Sequence, residues 1–136
     1  MDIVIGAQHP NREQIKQACI ANGFICHIQT TRIAELMAEA DLAIGAGGSA
    51  SWERCCLGLP ALLVAVAENQ IDIAKELDSI GACYYLGEKD AVNSGSIQHS
   101  INKLLVAPDQ VLQVSQKAFS LVDGLGVSRV SQALGC

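Results

Sequence analysis

The residues whose types and spacing come closest to chemistry are Gly45-Ala46-Gly47-Gly48-Ser49-Ala50-Ser51. Clustered glycines let a backbone approach a ligand closely and adopt positive φ. A helical pattern over residues 49–57 follows at once, so unpaired N–H groups and the positive end of a helix dipole would face the turn. That combination suits a phosphate or diphosphate. The hydroxyls of Ser49 and Ser51 suit either a phosphate oxygen or a plain N-cap. The spacing is neither GxGxxG nor that of a P-loop, so neither motif applies.

Glu53 lies one turn into the same helix. Its carboxylate fits a ribose diol, and fits equally an acid that complements the helix dipole or pairs with Arg54. Asn69 and Gln70 close the next strand-like run. Either amide fits a sugar or phosphate, and Asn69 alone fits an N-cap. His9 follows the first strand-like run, while His27 lies inside a strand-like run and reads as a packed or edge residue. His99 sits in a late helix. No serine, histidine and aspartate constellation can be assembled from the spacing, and no acidic or histidine cluster has metal-ligand spacing. The sequence thus presents binding residues without a catalytic set, and it implies no cofactor.

The elements that must position these residues alternate along the chain. Apolar runs at 3–5, 24–28, 42–44, 61–66 and 83–86 read as strands. Helical patterns at 11–22, 31–40, 49–57, 70–80, 95–106, 109–121 and 126–134 separate and follow them. Runs apolar on both faces fit parallel strands covered on both sides. The order predicts an α/β fold, an open parallel Rossmann-like sheet of about five strands with helices on both faces. Residues 1–136 form one domain on this reading. In such sheets ligands bind beyond the carboxyl ends of strands, which is where the glycine turn and the Asn69-Gln70 pair fall.

Composition narrows the function classes. The net charge is −5 and Lys and Arg form no basic run, which argues against nucleic acid. No apolar run approaches the roughly 20 residues needed to span a bilayer. Six cysteines lack CxxC spacing and read as reduced core thiols, which with the absence of a signal peptide leads to an expectation of a cytoplasmic protein.

Residues 40–70, ADLAIGAGGSASWERCCLGLPALLVAVAENQ, resemble the C-terminal half of GT-B nucleotide-sugar enzymes. The run Ser51 to Pro60 most resembles the UDP-sugar hydrolases of pseudaminic acid biosynthesis, which release a free sugar and UDP. The opening DIVIGAQHPN and the closing LVDGLGVSRV resemble the same family, and the lipid II N-acetylglucosaminyltransferases are broader relatives. The resemblance implies UDP or a UDP-sugar as ligand. The diphosphate would lie on Gly47, Gly48, Ser49 and Ala50, the ribose on Glu53, and the sugar or phosphates near Asn69 and Gln70. The segment from Ile28 to Ile33 would lie by the uracil. Two departures stand out: the family's N-terminal half, which carries the water-activating base, and the first strand of its C-terminal half are both absent. The expected strand order is then 2-1-3-4-5, or a strand is borrowed from another chain, which would make a homodimer. The function expected is the UDP-binding domain of a hydrolase, inactive without the other half. The alternatives are the donor-binding domain of a GT-B glycosyltransferase, or a non-catalytic subunit that completes a split enzyme with a separate N-terminal-half partner.

Overall fold

The computed structural model describes all residues from Met1 to Cys136. The chain divides into two compact units, Met1–Leu36 and Met37–Cys136. The first unit holds β1 (Asp2–Ile5), α1 (Arg12–Asn22) and β2 (Ile25–Ile28), and α2 (Ile33–Glu39) lies at the division. β1 and β2 pair in parallel, with Asp2 opposite Ile25 and Ile5 opposite Ile28. α1 ends at Gly23, whose φ of 68° lets its N–H reach back to the carbonyls of Cys19 and Ile20, the left-handed stop that glycine favours. Cys19 is the buried residue of this helix. His27 on β2 meets Asp2 on β1, Nε2 to Oδ1 2.7 Å, a diagonal cross-strand contact, since His27 lies opposite Val4 in the register.

The second unit holds β3 (Ala43–Ala46), α3 (Ala50–Cys56), β4 (Ala61–Ala65), α4 (Ile71–Ser79) and β5 (Tyr84–Glu88), then α5 (Ser94–Leu105), α6 (Pro108–Phe119) and α7 (Gly126–Ala133). Its sheet runs β3-β4-β5, all parallel. β4 is the buried centre: Ala61, Leu63 and Ala65 point to one face and Leu62 to the other, each at most 3% exposed. Burial on both faces is why this run lacks the alternation of a half-exposed strand. Leu63 and Ala61 pack with Cys55 of α3, Ala74 and Leu77 of α4, Cys83, and Ala118 of α6. α6 docks on α3 through a close approach at Gly58, where Ser115 Oγ donates to the Gly58 carbonyl at 2.6 Å. A Cβ at Gly58 would lie 3.2 Å from Phe119 Cβ, and its φ is +63°. Gly58→Ala combines that strain with a steric clash and should cost ~1–3 kcal/mol, read as a lower denaturation midpoint at unchanged m-value.

Every strand and helix expected from the pattern is present, and the pairing within each ladder is parallel. One feature differs. The hydrogen-bonded ladders are two, β1-β2 and β3-β4-β5, with no ladder pairing between β1 and β3. Apolar periodicity reports which face of a strand is covered, whereas pairing partners are set by long-range geometry that it does not encode. Asn93 caps α5, which starts at Ser94, one residue before the expected 95. Asn93 Oδ1 accepts from Ser96 N–H at 3.0 Å while Ser96 Oγ accepts from Asn93 N–H at 3.0 Å, a reciprocal cap.

All six cysteines are free, with Cys19, Cys55 and Cys83 buried and Cys136 exposed. Burial, followed by the nearby Asp78 charge, pushes the Cys83 thiol up to about 12. Native-state labelling at mildly alkaline pH should therefore modify Cys136 rapidly and Cys83 only on unfolding. Because the folded value is raised, the stability linked to this thiol is intact below the unfolded range near 9 and is lost as pH rises towards 12.

Candidate functional site

In the second unit the chain leaves β3 at Ala46 and enters α3 at Ala50. Gly47 donates to the Val64 carbonyl of β4 at 3.2 Å, which pins the turn to the carboxyl end of the neighbouring strand. The carbonyls of Gly48 and Ser49 accept from Ser51 N–H at 2.9 Å and Trp52 N–H at 3.0 Å. The N–H groups of Gly48 and Ser49 have no acceptor within the protein, and Ala50 opens the helix, where an N–H has no intrahelical partner. Ser49 makes no side-chain cap hydrogen bond and is exposed. The plain N-cap role is therefore not taken up, and its hydroxyl stands beside the free N–H groups.

Gly47 is buried with Ala74 and Gln70 against it. An added Cβ there would sit 3.3 Å from Ala74 Cβ and 3.4 Å from the Gln70 carbonyl oxygen. Gln70 thus lies directly beside the turn, and its Nε2 would be 3.4 Å from a Cβ at Gly48. The other end of the same amide is anchored, Oε1 accepting from Val66 N–H at 3.1 Å. That bond fixes the orientation of the group and leaves its NH2 by the glycines. Asn69 is exposed in a short 3-10 turn, Glu68–Gln70, whose N-cap position is Ala67. Asn69 is therefore not the cap that its place in the sequence suits.

Glu53 is exposed on α3 and forms no ion pair. The pairing with Arg54 open to it in the sequence does not form, because Arg54 turns the other way. Ser51, Arg54 and Cys55 occupy the buried side of α3, the i, i+3, i+4 positions of one helix face. Ser51 is 2% exposed and accepts from Arg54 Nη2 at 3.2 Å, so its hydroxyl faces inward and is not a phosphate donor. Arg54 Nη2 also donates to the Ala46 carbonyl at 2.6 Å. Arg54 is the residue that sequence reasoning missed. The signal was available: a helix of this period places it with Ser51 and Cys55 on the core side.

The structure thus brings Gly47, Gly48, Ser49, Ala50 and Gln70 together on one ledge at the carboxyl ends of β3 and β4. Glu53 lies one helical turn further on, and Asn69 lies next to Gln70 along the chain.

The first unit has a strand-end feature of its own. A shallow hollow of about 460 Å³ is lined by the loop and first helical turn from Ala7 to Gln14 and includes His9. His9 Nδ1 accepts from Asn11 N–H at 3.2 Å. Gln29, just beyond β2, has φ of 53° and accepts from Ala7 N–H through Oε1 at 3.2 Å. No group of three or more histidine, cysteine, aspartate or glutamate side chains is placed to hold a metal ion, and no helix is long and apolar enough to cross a membrane.

The model of the glycosyltransferase family 28 C-terminal domain matches residues 3–127. The chain is 30% identical over 135 residues to the spore coat polysaccharide biosynthesis protein SpsG of Bacillus subtilis (strain 168), covering 98% of this chain and 40% of that protein. The crystal structure of Acinetobacter baumannii MurG superposes with a TM-score of 0.75 at 19% identity, covering 99% of this chain and 41% of that one. The chain therefore spans about 40% of the length of the relatives it matches. The MurG likeness places the open parallel α/β fold on a solved relative.

Proposed function

Because the chain belongs to the family of glycosyltransferase family 28 C-terminal domains, we propose that it is the part of a nucleotide-sugar enzyme that holds the nucleoside diphosphate of a UDP-sugar donor. The observation that carries this reading is the pair of free N–H groups at Gly48 and Ser49 beside the Gln70 amide. Backbone donors already fixed in place bind phosphate oxygens without reorganising. Gly47 and Gly48 allow close approach, Ala50 N–H and the Ser49 hydroxyl add donors, and Gln70 with Asn69 reaches a phosphate or the sugar. Glu53 accepts from the ribose hydroxyls.

The reaction served by such a ledge breaks the bond between sugar C1 and the diphosphate oxygen. The electron pair leaves with UDP, and the donors of the turn stabilise the charge that develops there. The family match supports transfer of the sugar to an acceptor over its hydrolysis, although a hydrolase that releases free sugar would use the same donor ledge with water as acceptor. The separate-partner reading has one supporting observation. α7 has no buried residue, and Val127, Val130 and Leu134 are exposed, an apolar stripe suited to another protein surface.

The test is a titration of the chain with UDP followed by residue-resolved NMR, up to about 1 mM, where half-saturation corresponds to roughly −4 kcal/mol. Shifts should centre on Gly47 to Glu53 and on Asn69 and Gln70. Shifts confined to other segments, or none, would remove the reading. A second expected outcome is that the chain alone releases no sugar from a UDP-sugar, since none of the ledge residues is placed as a base. Release abolished by a substitution at Glu53 would contradict this.

A further inference from the structure

Arg54 is a cation 6% exposed with no carboxylate within ion-pair distance. Only Nη2 is hydrogen-bonded, to the Ala46 carbonyl and Ser51 Oγ. Nε is buried and has no acceptor. A buried charge normally has a partner, since desolvating one costs several kcal/mol. Helix α3 carries this one directly under the glycine turn. The guanidinium occupies the space that a side chain at residue 45 would need: a Cβ on Gly45 would lie 2.7 Å from Nη1.

The groups around Arg54 supply no counter-charge from within the core. The thiols of Cys55 and Cys83 are both raised by burial and stay protonated. Glu53, its sequence neighbour, is exposed, forms no ion pair with it, and acts on it only from a distance. The cavity bordered by Arg54, Ser51, Cys55 and Cys83 measures about 10 Å³, at the lower limit for one water and too small for an anion. Arg54 reaches the turn through the Ala46 carbonyl, which it grips at 2.6 Å.

We infer that Arg54 is a positioning residue for the diphosphate: it clamps the Ala46 carbonyl so that the following N–H groups stay free, and it places an unbalanced positive charge behind them. This rests on the reading of the ledge as a diphosphate site. The ligand anion then supplies the counter-charge that the free protein lacks, so Arg54 favours the charged part of the ligand over its neutral part.

The experiment compares UDP with uridine on the chain and on its Arg54→Met and Arg54→Lys variants, by NMR titration with circular dichroism as the fold check. Arg54→Met should weaken UDP binding by on the order of tenfold, as expected for loss of a charge-assisted contribution, and leave uridine binding within about twofold. Arg54→Lys, which keeps the charge, should recover part of the UDP affinity. UDP binding by folded Arg54→Met equal to that of the wild type would overturn the inference and leave the ledge intact. Equal loss of UDP and uridine would reduce Arg54 to a structural residue and also overturn it. No UDP-induced shifts at the turn of the wild type would instead remove the ledge reading and this inference together. Should Arg54→Met not fold, Gly45→Ala decides, since it displaces the guanidinium without deleting it. A selective loss of UDP affinity supports the inference, and unchanged UDP affinity overturns it.

Discussion

Glu53→Ala is expected to weaken UDP binding roughly 10- to 100-fold, equivalent to ~1.5–3 kcal/mol, the range for hydrogen bonds to a charged group. The carboxylate is exposed, unpaired and one helical turn beyond the free N–H groups. Because Glu53 makes no contact that holds α3 in place, the variant should fold as the wild type does, and its melting temperature should move by no more than a surface substitution allows. Calorimetry with UDP and 2′-deoxy-UDP separates the ribose role from a general one. The wild type should prefer UDP, and Glu53→Ala should bind both alike. Equal preference in both proteins would move the ribose elsewhere.

Leu63→Ala should produce the largest loss of stability in the chain. The side chain is 1% exposed at the centre of β4 and packs with residues from α3, α4 and α6. Removing its branch leaves a cavity among elements that cannot all close on it, at a cost of ~2–5 kcal/mol. Domains of this size are stable by about 5–15 kcal/mol, so the change takes a large share and should lower the melting temperature by roughly 10 °C. Thermal unfolding measures it directly. A shift of only a degree or two would mean that the core repacks freely around β4. The next residue along β4 is Val64, whose carbonyl receives Gly47 N–H, so UDP affinity should fall as the protein approaches its transition.

The elements themselves were legible because their signals are local. Apolar period and glycine stops placed α4 over 70–80, against the observed Ile71–Ser79, and α1 over 11–22, against Arg12–Asn22. The turn at Gly45 to Ser51 was legible as a turn, and its direction at the end of β3 followed from strand polarity. The inward course of Arg54 was not read, because a charged residue next to Glu53 suggests a surface pair. Only the helix phase, with Ser51 and Cys55 on the same side, argues otherwise. The contact of Gln70 with the glycines was also beyond the sequence, because it depends on the register of β3 with β4, Ala46 opposite Val64. The division of the strands into two ladders has the same origin.

The unequal burial of those two ladders sets a clock. Unit Met1–Leu36 has a single buried side chain, Cys19, and neither of its strands carries a buried residue, whereas β4 is covered on both faces. Amide protons are released through openings whose free energy tracks local burial, and a pair of strands alone is marginal. Amides of Ile3 to Ile5 and Cys26 to Ile28 should therefore exchange with deuterated water long before those of Leu62 to Ala65. The chain then has an intermediate timescale on which β1, β2 and the His9 loop have opened while the glycine ledge and Arg54 are still in place.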